Sequence, residues 1–358
     1  MIHVVLGTKA QLIKMAPIMI RLRDRQIPYR LISTGQHRAT MSDMLAEFGL
    51  REPDLVLYDG PDIVSVPQMA AWIARILWKV ARRRREIFGD DPRGVVLVHG
   101  DTFSTLLGAL MGRMARLRVG HVESGLRSFN LFHPFPEELT RLATFRLSHV
   151  LYCPGEWAAS NVARMRRAVV NTQANTLADT LELALQSNHR AVAMPAPPCG
   201  LVSIHRYENI FKRPAFERVL GLIETIAEVV PLAFILHPPT EKQLRRFGLY
   251  ERLDRNPRVA LRPRCTYFDF VALLGASALV VTDGGSIQEE TSYLGKPCLL
   301  LRKATERKEG LSESVVLSGY DPDIVQRFAR EYERYRREPT RLPRSPSDLI
   351  VDTLATYA

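Results

Sequence analysis

Short apolar runs alternate along the chain with amphipathic stretches of roughly 12–20 residues. Most of the runs are bounded by Gly, Asp or Ser and have the length of buried strands. This alternation is typical of βα units that feed a parallel sheet. It predicts strands over residues 2–6, 29–33, 95–98, 118–122, 150–153, 201–204, 232–236, 259–261, 278–282 and 298–301.

The strands fall into two groups, one before residue 165 and one after residue 200. A chain of 358 residues is also long enough for about two domains with separate cores. We therefore predict an α/β protein with two doubly wound domains. Their predicted bounds are 1–167 and 168–342, with a last helix over 343–358 that packs back on the first domain.

Composition restricts the class of protein less than charge does. The chain is 46% hydrophobic and 24% charged, which is ordinary for a globular protein, but 49 Lys and Arg against 38 Asp and Glu leave a net charge of +11. An excess of this sign suits a polyanionic partner, which can be a nucleic acid, an anionic membrane face or a phosphorylated small molecule. Charge alone does not choose among them.

Cysteine usage and the apolar runs indicate the compartment. The four cysteines are widely spaced and form no CxxC pair, so neither a disulfide framework nor a zinc site is expected. No apolar run reaches the length of a membrane span, and the N-terminus lacks the pattern of a signal peptide. We expect a cytoplasmic protein that is not integral to a membrane.

Two glycine turns between a strand and a helix are candidate anion sites. Gly7 follows the first strand and leads into a helix that carries Lys9 and Lys14. The turn Gly284-Gly285-Ser286 opens another helix, with Glu290 one turn further on. A helix N-terminus attracts phosphate through its N–H groups and its dipole, and the turn at Gly284 is the stronger phosphate candidate. The alternatives are an ordinary strand–helix turn with solvated lysines at Gly7 and a turn that only tightens strand–helix packing at Gly284.

Carboxylates follow two neighbouring apolar strands and open a helix behind prolines. Asp101 and Glu123 come after the strands, and Glu137 begins the helix. Capping and dipole complementation are the alternative roles. Grouped at one rim, the three would suit acid and base chemistry. In the second half of the chain, His205 and Arg206 follow a strand, and both can hold an anion there. The histidine can also move a proton, and its alternative is a purely structural role.

Taken in order, these motifs resemble the non-hydrolysing UDP-N-acetylglucosamine 2-epimerase family. The resemblance runs from the Gly7-Thr8 turn through His-Gly-Asp-Thr at 99–102, His-Val-Glu-Ser-Gly-Leu-Arg at 121–127, Pro-Glu-Glu at 136–138 and His-Arg-Tyr-Glu-Asn at 205–209 to the glycine turn at 284. It implies two Rossmann-like domains that face a cleft, as in glycosyltransferase-B enzymes. It also implies elimination of UDP across C1–C2 of a UDP-N-acetylated sugar, followed by re-addition with the proton on the opposite face.

The resemblance also implies residue roles, with no metal or cofactor. Its catalytic groups correspond to Asp101, Glu123, Glu137 and His205. Its UDP-sugar contacts correspond to Lys9, Lys14, Arg206, Gly284, Gly285 and Ser286 near the diphosphate, Glu290 at the ribose and Phe270 at the uracil. A second, activating UDP-sugar site corresponds to Gln36, Arg38, Arg206 and His237. A homodimer is expected.

The chain departs from the family pattern in three substrate loops. It has Lys9-Ala10-Gln11 in place of Arg-Pro-Glu, Gly284-Gly285-Ser286 in place of Ser-Gly-Gly, and Ala174-Asn175-Thr176 in place of the Gly-Asn-Thr of the hinge region. Two related activities stay open, a hydrolysing 2-epimerase and a UDP-sugar glycosyltransferase of the same fold. A nucleic-acid-binding protein is the non-enzymatic alternative, suggested by the run Arg82–Arg85. That run more simply ends a surface helix, and no nucleic-acid-binding module is recognisable, so no nucleic-acid partner is expected.

Overall fold

The computed structural model describes residues 1–36, 41–60, 63, 66–131, 136–187, 198–305 and 307–357. The strands within this part of the chain are β1 Ile2–Leu6, β2 Tyr29–Ser33, β3 Leu55–Val56, β4 Val95–His99, β5 Arg118–Val122, β6 Val150–Cys153, β7 Ala168–Asn171, β8 Gly200–Ser203, β9 Leu232–Leu236, β10 Val259–Pro263, β11 Val280–Thr282, β12 Cys298–Leu300 and β13 Val315–Leu317.

Helices connect the strands. They are α1 Lys9–Asp24, α2 Met41–Glu47, α3 Val66–Phe88, α4 Phe103–Met114, α5 Glu137–Leu147, α6 Glu156–Val162, α7 Leu177–Gln186, α8 Tyr207–Ile210, α9 Arg213–Ala227, α10 Pro238–Phe247, α11 Tyr250–Asp254, α12 Tyr267–Ala276, α13 Gly285–Tyr293, α14 Pro322–Glu331 and α15 Pro346–Ala355, with a 3₁₀ turn at Tyr332–Tyr335. Within the described residues, no helix has both the length and the apolar character that crossing a bilayer requires.

The chain divides into two compact units, each built on one parallel sheet. Unit 1 is Met1–Leu183 with Leu342–Ala358, and its seven-stranded sheet has the order β3-β2-β1-β4-β5-β6-β7. Unit 2 is Ala184–Arg341, and its six-stranded sheet has the order β10-β9-β8-β11-β12-β13. The prediction of two doubly wound α/β domains is therefore confirmed.

Strand order places the chemistry-bearing loops. Each sheet reverses its winding direction once, between β1 and β4 in unit 1 and between β8 and β11 in unit 2. Loops at the carboxyl ends of the two strands there diverge to opposite faces and leave room for a ligand. The candidate residues that follow β1, β4, β8 and β11 thus stand at the positions where open α/β sheets bind ligands.

Burial explains why the central strands were evident from the sequence. β1, β4 and β9 are buried along their whole length, because helices cover both faces of a parallel sheet. In unit 1 one face packs Trp72 and Ile76 of α3 on Val96 and Val98 of β4. The unpredicted strands β3, β7 and β13 are short, lie at sheet edges and are only partly buried.

The boundary between the units lies further along the chain than the predicted break after residue 167. β7 pairs with β6 and so extends the first sheet. The hydroxyl of Thr180 in α7 then donates to the backbone oxygen of Ile13 at 2.9 Å. Local sequence did not reveal these long-range contacts, which keep β7 and most of α7 in unit 1.

The arginine run Arg82–Arg85 lies in the last turns of α3, as predicted, and all of it is exposed. The helix has a non-helical residue at Arg83. Arg83 pairs with Glu86 at 2.5 Å and Arg85 pairs with Asp90 at 3.0 Å. Surface pairs of this kind contribute little to stability, so the run is a solvated helix end.

Candidate active site

The first glycine turn forms a capped helix start. The Thr8 side chain accepts from the Gln11 amide, and the Gln11 side chain accepts from the Gly7 and Thr8 amides at 2.9 and 3.1 Å. Gln11 also donates to the backbone oxygen of His99 at 2.9 Å, which joins α1 to the end of β4. A side chain at Gly7 has no room, since its Cβ would lie 1.9 Å from Ser104 Oγ. Lys9 is the first residue of the helix and is half-buried.

Lys14 and Glu123 form a buried ion pair at the carboxyl ends of β1 and β5. Lys14 Nζ contacts Glu123 Oε1, and the two side chains are only 5% and 8% exposed. Asn175 Nδ2 donates to the same oxygen at 2.5 Å, and His99 Nε2 lies 3.7 Å from Oε2. Glu123 has φ +61°, a conformation that costs energy in a residue with a side chain and that concentrates at functional sites.

Asp101 is held by a second cation, Arg141, whose charge also interacts with Glu123. Thr102 caps α4, which leaves the Asp101 carboxylate to accept from Arg141 at 2.5 Å. Arg141 also reaches Glu138 at 3.3 Å. Glu138 is fully buried and accepts from Arg127 Nε at 2.5 Å. The N-cap residue of α4 is therefore Thr102 and not Asp101.

The charge state of Glu138 follows from its partners. Burial works to raise the pKa of Glu138, but the Ser128 amide at 3.0 Å and the guanidinium groups of Arg127 and Arg141 outweigh it and hold the pKa below its ordinary value. Glu138 is therefore a carboxylate at neutral pH. Its charge keeps Arg141 in place beside Asp101.

Glu137 stands at the N-terminus of α5. Its Oε2 atom is buried and has no hydrogen-bond partner among the described residues, which do not include 132–135 directly before the helix. The Thr140 hydroxyl donates to the backbone oxygens of Asp101 and Glu137 and so ties this helix start to the end of β4. The predicted carboxylates therefore share one edge of unit 1, where Asp101 pairs with Arg141 and Glu123 pairs with Lys14.

His121 supports this edge from within the core. It is fully buried, and burial lowers the pKa of His121 to about 4. The neutral ring lies 2.7 Å from the backbone oxygen of Gly100 through Nε2 and 3.1 Å from Ser124 Oγ through Nδ1. A neutral imidazole satisfies both contacts by donating to the carbonyl and accepting from the hydroxyl.

In unit 2 a buried carboxylate organises the predicted histidine. Asp283 accepts from the His205 amide at 3.0 Å, from the Arg206 amide at 3.0 Å and from Asn209 Nδ2 at 2.9 Å. Its Oδ1 is 3.5 Å from His205 Nδ1. Tyr320 Oη in turn donates to Asn209 Oδ1 at 2.7 Å. The His205 ring is thus placed at the end of β8 with a carboxylate behind it.

The second glycine turn begins α13 next to this histidine. Gly284 precedes the helix, and a Cβ there would lie 3.1 Å from His205 Cε1. Gly285 and Ser286 form the first turn, which carries no acidic side chain, so the helix dipole is open to an anion. Arg206 is partly exposed and pairs with Glu208 at 2.8 Å.

The predicted nucleoside contacts lie in two neighbouring helices of unit 2. Glu290 is buried in α13 and accepts from Tyr267 Oη at 3.0 Å. Phe270 in α12 is half-buried and packs against an apolar cluster that includes Leu273 and Ile287. Both residues are held in place by protein contacts of their own.

The predicted activating site is only partly described. Gln36 in unit 1 accepts from Ser104 Oγ at 2.6 Å. Arg38 lies outside the described residues. In unit 2, His237 contacts Ser203 Oγ at 3.1 Å, and burial, reinforced by the charges of His205 and Arg264, lowers the pKa of His237 to about 4. Each described residue therefore has a local partner.

Sequence reasoning assigned no role to three groups that contact predicted site residues, namely Asn175, Arg141 and Asp283. Asp283 follows a strand just as Asp101 does, so its position at the end of β11 was the available indication. Arg141 lies three residues after Glu138 on one helix face, a spacing that permits pairing. Asn175 belongs to the stretch that corresponds to Gly-Asn-Thr of the family pattern, but its contact with Glu123 spans 52 positions of the chain and has no local indication.

Comparison with known proteins shows to which family the chain belongs. The family model described as UDP-N-acetylglucosamine 2-epimerase matches residues 21–346. A UDP-N-acetylglucosamine 2-epimerase of Methanococcus maripaludis is 30% identical over 90% of this chain and 89% of its own. The Escherichia coli K12 protein of the same name is 31% identical over 93% of this chain and 90% of its own.

Solved structures agree. Methanocaldococcus jannaschii UDP-GlcNAc 2-epimerase in complex with UDP-GlcNAc and UDP is 26% identical, covers 100% of this chain and 99% of its own, and has a TM-score of 0.80. Acinetobacter baumannii MurG, at 11% identity and a TM-score of 0.53 over 99% of both chains, shares the glycosyltransferase-B-like fold alone. The chain belongs to the UDP-N-acetylglucosamine 2-epimerase family.

Proposed function

We propose that this chain inverts C2 of UDP-N-acetylglucosamine, or of a related UDP-2-acetamido sugar, without net hydrolysis, to give the manno epimer. The supporting observation is the buried pair of Lys14 and Glu123 at the strand ends of unit 1, in a chain similar over nine-tenths of its length to UDP-GlcNAc 2-epimerases. Such an isomerase supplies a precursor for surface polysaccharide. We expect it to act in the cytoplasm as a homodimer.

The reaction proceeds by elimination and addition. A carboxylate removes the proton from C2, the electron pair of that C–H bond forms the C1–C2 double bond, and the C1–O bond breaks with release of UDP. The 2-acetamidoglucal then takes a proton at C2 on the opposite face while the UDP oxygen adds back to C1. No oxidant or other reactant is consumed, so atoms and electrons balance.

Unit 1 supplies the proton-transfer groups in this proposal. Asp101, Glu123 and Glu137 stand at one sheet edge, and a positioned carboxylate can serve as acid or base when its surroundings shift its proton affinity. Lys14 adds positive charge at Glu123, and Lys9 is the first residue of the same helix, α1. The buried Oε2 of Glu137 is suited to exchange a proton with a ligand.

Unit 2 supplies the UDP contacts in this proposal. His205, Arg206 and the first turn of α13, with Gly284, Gly285 and Ser286, offer cationic and N–H donors for the diphosphate. Glu290 would bind the ribose hydroxyls, and Phe270 would pack against the uracil. Such oriented donors contribute about 3–4 kcal/mol each to a transition state in which charge develops on the leaving group.

The test is incubation with UDP-GlcNAc in deuterated water, followed by NMR. We expect UDP-N-acetylmannosamine and deuterium at C2 of both epimers. Free N-acetylmannosamine with UDP would indicate the hydrolysing reaction instead, and transfer of the sugar to an acceptor without exchange would indicate a glycosyltransferase. Absence of both exchange and epimer, with or without a second UDP-sugar as activator, refutes the proposal.

A matched pair of variants ties the activity to the site. Glu123→Gln removes the charge that faces Lys14, and we expect it to abolish C2 exchange. Glu86→Gln makes the same chemical change in an exposed surface pair with Arg83, and we expect it to leave the rate unchanged. Equal rates for the two variants would contradict the assignment of Glu123.

A further inference from the structure

Asn175 reaches Glu123 from a segment that carries none of the motifs at the strand ends. It lies between β7 and α7 and is 4% exposed. Its Nδ2 donates to Glu123 Oε1 at 2.5 Å, while its Oδ1 accepts from the Leu177 amide, the first of α7, at 3.1 Å. Because a backbone N–H needs an oxygen acceptor, the amide cannot be turned over, and its NH₂ group must face the carboxylate.

The same segment also holds the cation of the pair. Thr176 Oγ1 donates to the backbone oxygen of Lys14 at 2.6 Å, and Thr180 Oγ1 donates to that of Ile13 at 2.9 Å. Lys14 Nζ contacts the Glu123 oxygen that Asn175 also contacts. Residues 175–180 therefore hold the backbone of the lysine and the side chain of the glutamate together.

The side chain of Glu123 needs hydrogen-bond partners that fix its direction, because the backbone of this residue has an unusual conformation. Its φ of +61° turns the residue out of the regular strand geometry after β5. On the other side, a Cβ at Gly100 would lie 3.3 Å from Oε2, and His99 Nε2 is 3.7 Å away. Lys14 and Asn175 both contact Oε1 and so contribute to the direction in which the carboxylate plane faces.

We propose that Asn175 is a positioning residue for the C2 epimerisation, whose side-chain amide orients the Glu123 carboxylate against Lys14 for proton transfer. The inference rests on the proposed function, in which Glu123 moves the C2 proton. Asn175 does not itself need to touch the sugar for this role. A displacement of about 1 Å at a reacting group can lower a rate by about 100-fold.

Two substitutions separate positioning from helix capping. Asn175→Ser keeps an oxygen that can accept from the Leu177 amide but is too short to reach Glu123. Asn175→Asp keeps the shape and the capping oxygen but replaces the donor by an acceptor that repels the carboxylate. Ser345→Ala is the control, because Ser345 caps α15 in the same unit and its loss affects stability alone.

For Asn175→Ser we expect kcat to fall about 10–100-fold with KM within about twofold, and C2 exchange to fall in proportion. For Asn175→Asp we expect a larger loss at neutral pH that is partly recovered as pH falls, because a proton shared between the two carboxylates relieves their repulsion. Lys14 and His99 also face this carboxylate, Arg141 and His121 interact with its charge, and all four residues are unchanged in both variants. Ser345→Ala should lower the unfolding temperature and leave kcat unchanged.

A titration gives a readout that does not need activity. In protein labelled with ¹³C at the Glu carboxyl carbons, the Glu123 resonance is assigned by its absence in Glu123→Gln. Loss of the Asn175 donor should move its titration midpoint to higher pH, since a hydrogen bond to the carboxylate favours the charged form. An unmoved midpoint, or a wild-type kcat in Asn175→Ser, overturns the positioning role. An inactive wild type refutes the proposed function, and the titration then decides only whether Asn175 donates to the Glu123 carboxylate.

Discussion

Glu138→Gln tests the buried network beside Asp101. The carboxylate of Glu138 is fully buried and accepts from Arg127 at 2.5 Å, from the Ser128 amide at 3.0 Å and from Arg141 at 3.3 Å. Glutamine has the same shape but only one oxygen. Its NH₂ group must face either the Ser128 amide or a guanidinium, all of which are donors.

The structure sets the size of the expected loss. If Oε1 of the glutamine keeps the Arg127 bond, two of the wild-type hydrogen bonds are lost and the charge that balances Arg141 disappears. Hydrogen bonds to charged groups contribute about 1.5–3 kcal/mol each, and breaking a buried ion pair costs about 3–5 kcal/mol. We expect the free energy of unfolding of unit 1 to fall by about 3–5 kcal/mol.

Urea unfolding followed by tryptophan fluorescence measures the unfolding of unit 1, which contains Glu138. All three tryptophans, Trp72, Trp78 and Trp157, belong to unit 1. Glu86→Gln is the control, since Glu86 forms an exposed pair with Arg83 and its loss should not be measurable. A loss below about 1 kcal/mol for Glu138→Gln would refute the reasoning, because it would mean that the buried carboxylate contributes no more than a surface one.

The pH dependence provides a second check on Glu138. Its pKa is lowered in the fold, so its stabilisation is complete above the unfolded-state pKa of about 4.3 and is lost as pH falls through the folded value. Glutamine does not titrate. The difference in unfolding free energy between wild type and Glu138→Gln should therefore narrow in acid, and a constant difference would contradict this explanation.

Two further predictions concern stability. Burial lowers the pKa of His3 to about 4, so the wild type should lose stability as pH falls from about 6.5 toward 4. The variant His3→Leu should lose less stability over this range. The measurement is the urea midpoint of each protein at pH 7 and at pH 5. Equal slopes would contradict this prediction. Gly125 has φ +83° and its Cβ would lie 2.1 Å from a backbone oxygen, while Gly248 has φ +68° and open space. Gly125→Ala should therefore lower the unfolding temperature far more than Gly248→Ala, which adds strain of only about 1–2 kcal/mol, and similar thermal shifts would refute the steric argument.

Much of the fold follows from local pattern. Central parallel strands are covered on both faces, so they read as continuous apolar runs, and β1, β4 and β9 were evident for that reason. The edge strands β3, β7 and β13 are mostly apolar, but they are only two to four residues long and only partly buried, so they did not stand out as buried runs. The placement of β7 in the first sheet then moved the boundary between the units.

The candidate site divides in the same way. That Asp101, Glu123, His205 and the Gly284 turn follow strands was readable from the sequence, because residue order alone places them at the carboxyl ends of parallel strands. Which of them contact one another was not. Asp101 pairs with Arg141, and Glu123 pairs with Lys14, 109 positions away in the chain.

The sequence by itself determined the βα alternation, the residues at each strand end and the family resemblance. Tertiary structure alone decided the strand order, the switch points and the partners of each carboxylate. The physical reason is that periodicity and turn chemistry act over a few residues, whereas a contact such as that between Asn175 and Glu123 exists only once β7 has paired with β6.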